Sequence, residues 1–331
     1  MYFHLNQDEF KNFVNKISER AELDEDIIEK DYFVCTVLKE LSKKQEELKA
    51  YFKGGTAIYK ILDKMNRFSE DIDQTVEFIE TDSNNSKMRL KRSAKYNIPE
   101  LELQKEKTKD ERKSITTFYK YNSLFNNISN PLHKPGEIQI EATSFTVSEP
   151  VELYKIEPII YKYANDDERK KLKEYFDIDI FELKVQKLER IFVDKIFAAE
   201  FYFLREEYID FSKHIYDISI LLQEDRIKKL LENPEYFRQL VDYKRQEERI
   251  RIGGIDPNKK IVDFEYLMLN FNEQICEAYE SMQNKYIFKS EYKLNIDTIK
   301  ESLKNLKDKI LDFHQKISFN DKKWWKYDIS K

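Results

Sequence analysis

The amino-acid sequence predicts an α/β (α+β) protein in two parts. An N-terminal domain with a mixed sheet, residues 1–188, is followed by an α-helical domain, residues 189–331. Three observations lead there. Residues 50–78 read as strand, glycine turn, helix, strand. Two further segments, 114–121 and 136–145, are strand-like. From Glu189 onward the texture becomes helical, in a chain with only 5 Gly and 7 Pro among 331 residues.

The elements follow in order. Residues 7–20 place Phe10, Phe13, Val14 and Ile17 on one helical face. Residues 24–43 form a second helix, with Asp24 as its N-cap and Ile27, Ile28, Val34, Val37, Leu38 and Leu41 as its apolar face. "YFKGGT" is a short strand ending in a turn, and Thr56 caps a helix running to about Lys64. "DIDQTVEF" resumes period-two alternation through Ile72, Val76 and Phe78. Residues 81–114 are polar and lysine-rich, a helix plus a loop. After the strands at 114–121 and 136–145, extended segments at 153–164 and 178–188 flank a charged helix at 166–175. Helices then cover 189–206, 210–223, 226–249, 263–285 and 296–317, broken most clearly by "GGIDPNK", and "WWK" packs as a terminal cap.

Composition removes several function classes. With 58 basic and 63 acidic residues the net charge is only −5, so a polyanion site has to be a local patch. Cys35 and Cys276 stand alone, and the four histidines lack metal-ligand spacing. No apolar run approaches the roughly 20 residues that span a bilayer, and the amphipathic, acidic N-terminus is unlike a signal peptide. A cytoplasmic protein without membrane contact is expected.

One stretch concentrates chemistry. In "KGGTAIYKILDKMNRFSEDID", Asp71 and Asp73 lie two apart on a strand, on one face and roughly 7 Å apart. At an effective dielectric of about 20 they repel by roughly 2 kcal/mol. A divalent cation reverses that sign, and Mg²⁺ favours one or two carboxylates together with phosphate oxygens and water. A bare D-x-D also closes exposed turns. The upstream glycines add weight to the metal reading, because a glycine pair lets backbone approach a phosphate and the amides of the following helix favour an anion. The 14 residues from Ala57 to Glu70 are enough to form a helix and return to a neighbouring strand.

The motif "FKGGTAIYK…NRFSEDID" resembles that of the AbiEii-type nucleotidyltransferases, toxins of abortive-infection and type IV toxin–antitoxin systems with the MenT toxins as relatives. Gly54, Gly55, Thr56, Arg67, Ser69, Glu70, Asp71 and Asp73 fall in the family's order. "IIEKDYFVCTVL" and "ERIFVDKIFAAE…SKHIYDISILL" are similar to its flanking blocks, so the resemblance anchors most of residues 25–225. It implies a polymerase-β-like nucleotidyltransferase fold and a catalytic set. Asp71 and Asp73 would bind Mg²⁺ or Mn²⁺. Gly54, Gly55 and Thr56 would hold the β- and γ-phosphates of a nucleoside triphosphate. Glu141 in "IQIEAT" would serve as third carboxylate, or else is an exposed strand glutamate. Lys195, set among Ile191, Ala198, Ala199 and Tyr202, would contact phosphate, with snorkelling at the stripe's edge as the alternative. Asp217 would orient Lys195 or the base and ribose, or pair with Lys195 to fix two helices. Arg67 would contact the triphosphate, or pair with Glu70 or Asp73. His214 reads as a core or second-shell histidine, and Glu29, Lys30 and Asp31 as a structural charge cluster.

The implied reaction is attack of an acceptor hydroxyl on the α-phosphate with release of pyrophosphate. The implied acceptor is RNA, a tRNA 3′ end, with growth arrest as the consequence, residues 86–113 as an RNA-facing surface and a cognate antitoxin as partner. A small molecule or a protein hydroxyl is the rival acceptor. A non-catalytic nucleotide-binding module and an interaction protein built on the C-terminal helices are the non-enzymatic readings.

Overall fold

The computed structural model describes residues 1–64, 67–78, 81, 83–125, 136–251 and 253–318. The expected cap at Trp324–Lys326 lies outside them. The chain divides into two compact units, residues 1–191 with 284–292, and residues 192–283 with 293–331. The first unit thus takes in a short segment from the region that the sequence assigns to the helical domain.

The first unit opens with α1 (Gln7–Ala21), α2 (Glu25–Ser42) and α3 (Gln45–Leu48). Asp24 sits at the cap position of α2 with extended backbone, although its side chain makes no capping bond. Next come β1 (Ala50–Lys53), α4 (Gly54–Leu62), β2 (Ile72–Val76), α5 (Ser83–Ser93), β3 (Glu102–Leu103), β4 (Lys109–Asp110), β5 (Ser114–Lys120) and β6 (Glu137–Thr143). β7 (Val151–Ile156), α6 (Ile159–Lys162), α7 (Asp166–Phe176) and β8 (Phe181–Gln186) complete it. The expected extended run at 153–164 ends at Ile156, and Pro158 caps α6, its fixed φ suiting the entry to a helix.

All eight strands join one mixed sheet, ordered β3-β5-β6-β2-β1-β8-β7 with β4 also on β5. β2 runs antiparallel to β1 and parallel to β6. The registers sort the side chains by face. Ala50, Phe52, Ile72, Val76, Ile115, Ile138, Ile140 and Ala142 are buried on one side. α5 covers that side. The Gln74 amide there donates to the Ser93 carbonyl, and the Thr117 hydroxyl donates to that of Ala94. The opposite side carries Lys53, Asp73, Gln139 and Glu141, all half-buried. The strict alternation of "EIQIEAT" is therefore the sequence's own record of an open polar face.

α2 is tied in by charge as well as by apolar packing. Asp31 accepts from the Lys60 ammonium at 2.5 Å, the Tyr59 hydroxyl at 2.9 Å and the Ile159 amide at 2.8 Å. Lys30 pairs with Glu70 at 3.1 Å and donates to the Glu137 carbonyl. These contacts hold α4, the segment before β2 and the start of β6 to one helix, as the charge-cluster reading expects.

The second unit is helical. α8 (Leu188–Phe203) leads into α9 (Tyr208–Leu221), α10 (Asp225–Leu230), α11 (Pro234–Ile250), α12 (Glu273–Tyr286) and α13 (Ile296–Ser318). The helix expected over 226–249 is two helices. Asn233 accepts from the Tyr236 amide, and Pro234 stands at the first helical position, a strong start signal in mid-pattern. The 263–285 region begins as two 3₁₀ turns, and its α-helix starts only at Glu273. Phe197, Phe211, Ile218, Phe264, Ile299, Leu303 and Leu306 are among its buried core side chains. No helix among the described residues is long and apolar enough to cross a membrane.

Candidate active site

The first unit gathers the glycine pair and two of the carboxylates at one corner of the sheet. β1 passes directly into α4 at Gly54, whose φ of +84° lies in the left-handed region that favours glycine. No turn residue separates strand from helix, so α4 starts two residues earlier than the expected Thr56 cap. A Cβ on Gly54 would lie 2.0 Å from the Asp73 Oδ2, so the Asp73 carboxylate rests directly on this bend. A Cβ on Gly55 would meet Arg67 Nη2 at 2.7 Å and Ser69 Oγ at 2.9 Å. Both glycines are thus small for a steric reason, and the reason is the motif's own downstream residues. Asp73 also sits at the N-terminus of α4, where the helix dipole favours an anion by about 0.3–1 kcal/mol.

Asp71 immediately precedes β2, two residues before Asp73, and both are half-buried. Glu141 is the register partner of Asp73 across the parallel β2–β6 pair. Neighbouring strands lie about 5 Å apart, so these two side chains leave the same face side by side. Like charges at that spacing repel by roughly 3 kcal/mol at an effective dielectric of about 20, and less where water reaches them. Lys53 is the register partner of Asp73 on the other side.

Thr56 is fully buried in the first turn of α4. Its hydroxyl donates to the Asp71 carbonyl at 2.6 Å and lies 3.0 Å from the Ser69 hydroxyl. That hydroxyl braces the backbone at the start of the aspartate strand. Arg67 is buried beside Gly55 and donates to the Phe68 carbonyl at 3.1 Å. The Phe68 amide donates to the Tyr286 carbonyl at 2.7 Å, and the Phe68 and Phe288 rings pack 5.8 Å apart. Sequence reasoning missed this strap from residues 284–292, because nothing in a polar stretch 200 residues downstream marks it as a backbone partner of the motif.

Lys195 and Asp217 belong to the second unit, where α8 and α9 bring them together as an ion pair of 2.8 Å with side chains 7% and 5% exposed. Breaking such a buried pair by removing one partner costs about 3–5 kcal/mol. His214, one turn before Asp217, stacks on Tyr202 with ring centroids 5.1 Å apart. The pair therefore does at least the bland work of joining two helices.

Other expectations resolve into structure. Glu29 is buried and accepts from the Leu124 amide at 3.0 Å and from the Ser123 hydroxyl. In the lysine-rich stretch 86–113, three of the cations form ion pairs. Lys91 pairs with Asp110, Arg92 with Glu47 and Lys107 with Glu137. Its helix, α5, also covers the sheet face opposite Asp73 and Glu141.

Among the described residues, no group of three or more His, Cys, Asp or Glu side chains is gathered so as to hold a metal ion. Two carboxylates with water and phosphate oxygens still suit Mg²⁺, which rarely uses an all-protein cage.

Comparison with known proteins bears on the family. The model of the family described as "Nucleotidyl transferase AbiEii toxin, Type IV TA system" matches residues 36–321. Among solved structures, a crystal structure from H. pylori provisionally described as a nucleotidyltransferase is similar over 87% of this chain and 96% of that chain, at 14% identity and a TM-score of 0.38. No curated protein matches the chain.

Proposed function

The chain belongs to the AbiEii nucleotidyltransferase toxin family, and from that premise we propose that it transfers a nucleoside monophosphate from a nucleoside triphosphate to an RNA hydroxyl, a tRNA 3′ end, and so arrests growth. The observation that carries this reading is the Asp73 carboxylate lying on the Gly54 bend, with Glu141 at its side. A triphosphate at the start of α4 meets backbone amides, and the missing Cβ atoms let it come close. Arg67, packed on Gly55, supplies positive charge to the same place. Asp71 and Asp73 are the proposed ligands of Mg²⁺ or Mn²⁺, which when bound neutralises phosphate charge and helps pyrophosphate leave.

Glu141 is assigned the acceptor. It is half-buried on the open sheet face beside Asp73, and on this reading it accepts the proton of an attacking hydroxyl. Lys195 is assigned to phosphate charge and Asp217 to holding its ammonium in position. Thr56 acts one step back, fixing the Asp71 backbone and with it the spacing of the two aspartates. Positioning and electrostatics then supply most of the acceleration. The reaction belongs in the cytoplasm, where triphosphates and RNA are at hand, and the type IV system implies an antitoxin that opposes it.

Incubation with each α-labelled nucleoside triphosphate, Mg²⁺ and total RNA tests the reading, with Asp71→Ala as control. Label should pass to RNA from one or a few nucleotides with the intact protein alone. Label found only on protein or a small molecule would overturn the RNA acceptor, and equal transfer by the variant would overturn the site.

A further inference from the structure

We propose that a cleft at the far end of α4 binds the single-stranded segment of the acceptor RNA, with Tyr163 as its stacking platform. The cleft lies wholly within the first unit and encloses about 210 Å³. The inference rests on the RNA-acceptor reading and adds to it a place where the RNA is held.

The lining has the composition that single strands require. Tyr163, Phe288 and Tyr292 offer rings, and Lys64, Lys162 and Lys289 offer cations. Proteins that hold single-stranded nucleic acid combine these two elements, aromatic faces for the bases and positive charge for the backbone. Two carboxylates also line the cleft, Asp63 and Glu157. Asp63 is held by Lys162 at 2.7 Å. Lys64 and Lys289 form no ion pair among the described residues, so the cleft keeps positive charge for a polyanion. Tyr163 is half-buried, with the Lys162 ammonium 5.9 Å from its ring centre. A base stacked on that ring would have cations within reach of its phosphates.

Position supports the assignment. α4 runs from the glycine bend to the cleft, and its nine residues span about 13 Å. Phe288 enters the cleft while its ring packs against Phe68, the neighbour of Arg67 and Ser69. A strand whose end reacts beside Asp73 can therefore have its preceding nucleotides held here. The lysine-rich α5 is less well placed, because it covers the sheet face opposite Asp73 and Glu141.

The test is fluorescence anisotropy of a short labelled single-stranded RNA with the full-length protein, titrated in salt, alongside thermal unfolding of each variant. Tyr163→Ala should raise the Kd for RNA about tenfold with an unchanged unfolding midpoint. Lys289→Ala should flatten the slope of log K against log salt by about 0.7, the loss of one phosphate contact. Equal RNA binding by wild type and both variants would overturn the cleft and leave the RNA acceptor standing. A wild-type protein that binds no RNA and labels another acceptor would overturn both. Loss of mononucleotide binding with RNA binding intact would make the cleft a nucleotide site and refute the proposal.

Discussion

Two acidic clusters in the first unit look alike in sequence and differ in kind. Glu29 and Asp31 on α2 are each 1% exposed, and Asp31 is surrounded by donors from Lys60, Tyr59 and Ile159. Asp71, Asp73 and Glu141 are half-buried; Asp73 rests on the bend where α4 begins, Glu141 is beside it on the next strand, and Asp71 immediately precedes β2. In the first cluster Asp31 is paired with Lys60 and Glu29 accepts from Ser123 and Leu124, so its contribution is to hold elements together. In the second, Asp73 and Glu141 stand as like charges on adjacent strands, a cost that a cation and a triphosphate would offset. The difference that the structure shows is access: one cluster is closed off from solvent and the other faces it in part.

The largest effect should fall on the open cluster and on activity alone. Asp73→Asn keeps the shape of the corner and removes one charge, so transfer should drop by more than about a thousandfold, on the scale of losing a principal electrostatic contact. Stability should change far less than transfer, because Asn keeps the shape that rests on the Gly54 bend. Labelled-nucleotide transfer and a thermal melt on the same preparation check both halves. A cluster that serves only the fold would show the reverse pattern.

Asp31→Ala should give that reverse pattern. It strands the Lys60 ammonium, 3% exposed, without its carboxylate, a loss of about 3–5 kcal/mol in unfolding free energy. Denaturant titration reads the loss, and turnover per folded molecule should stay near wild type. A large fall in turnover at full foldedness would mean that the two clusters are not separable.

The pH dependence of stability sharpens the contrast further. Burial pushes the Glu29 carboxyl up to about 7, while bonds from Leu124 and Ser123 pull the other way. The unfolded chain releases that proton near the ordinary 4.5, so between about 4.5 and 7 the folded protein binds more protons. The contribution is greatest below 4.5, is lost as pH rises to about 7 and is flat beyond. It spans about 3 kcal/mol. Unfolding free energies measured across that window should fall with pH in the wild type and lose this component in Glu29→Gln. An identical slope in both proteins would remove Glu29 from the account.

Much of this was legible because local chemistry and topology agree. The alternation in "EIQIEAT" and the order of strand, glycines and strand locate β6, β1 and β2 directly, and the open face follows from period two. The resemblance selects Asp73, and the structure supplies the reason for the glycines: Asp73, Arg67 and Ser69 occupy the space of their missing side chains. Less legible were features fixed by distant contacts. The strap at Tyr286 is a backbone bond, which no side chain announces. Thr56 reads as a cap because threonine follows glycines, yet the helix starts at Gly54 and turns the hydroxyl inward. The split at Pro234 was marked in the sequence by "NP", but the hydrophobic period ran through it.

Thr56 stands between the two clusters and gives the finest test. If its hydroxyl serves the fold, Thr56→Val leaves the Asp71 carbonyl without that donor and costs about 1–2 kcal/mol. KM for the nucleotide should then change little, and kcat should fall severalfold as Asp71 loses its brace. Thr56→Ser, which keeps the hydroxyl, should restore kcat. If the hydroxyl turns to a phosphate in the complex, KM rises severalfold in Thr56→Val beside the same loss of stability in the free protein. The split between KM and kcat thus decides whether the third residue of "GGT" serves the fold or the nucleotide.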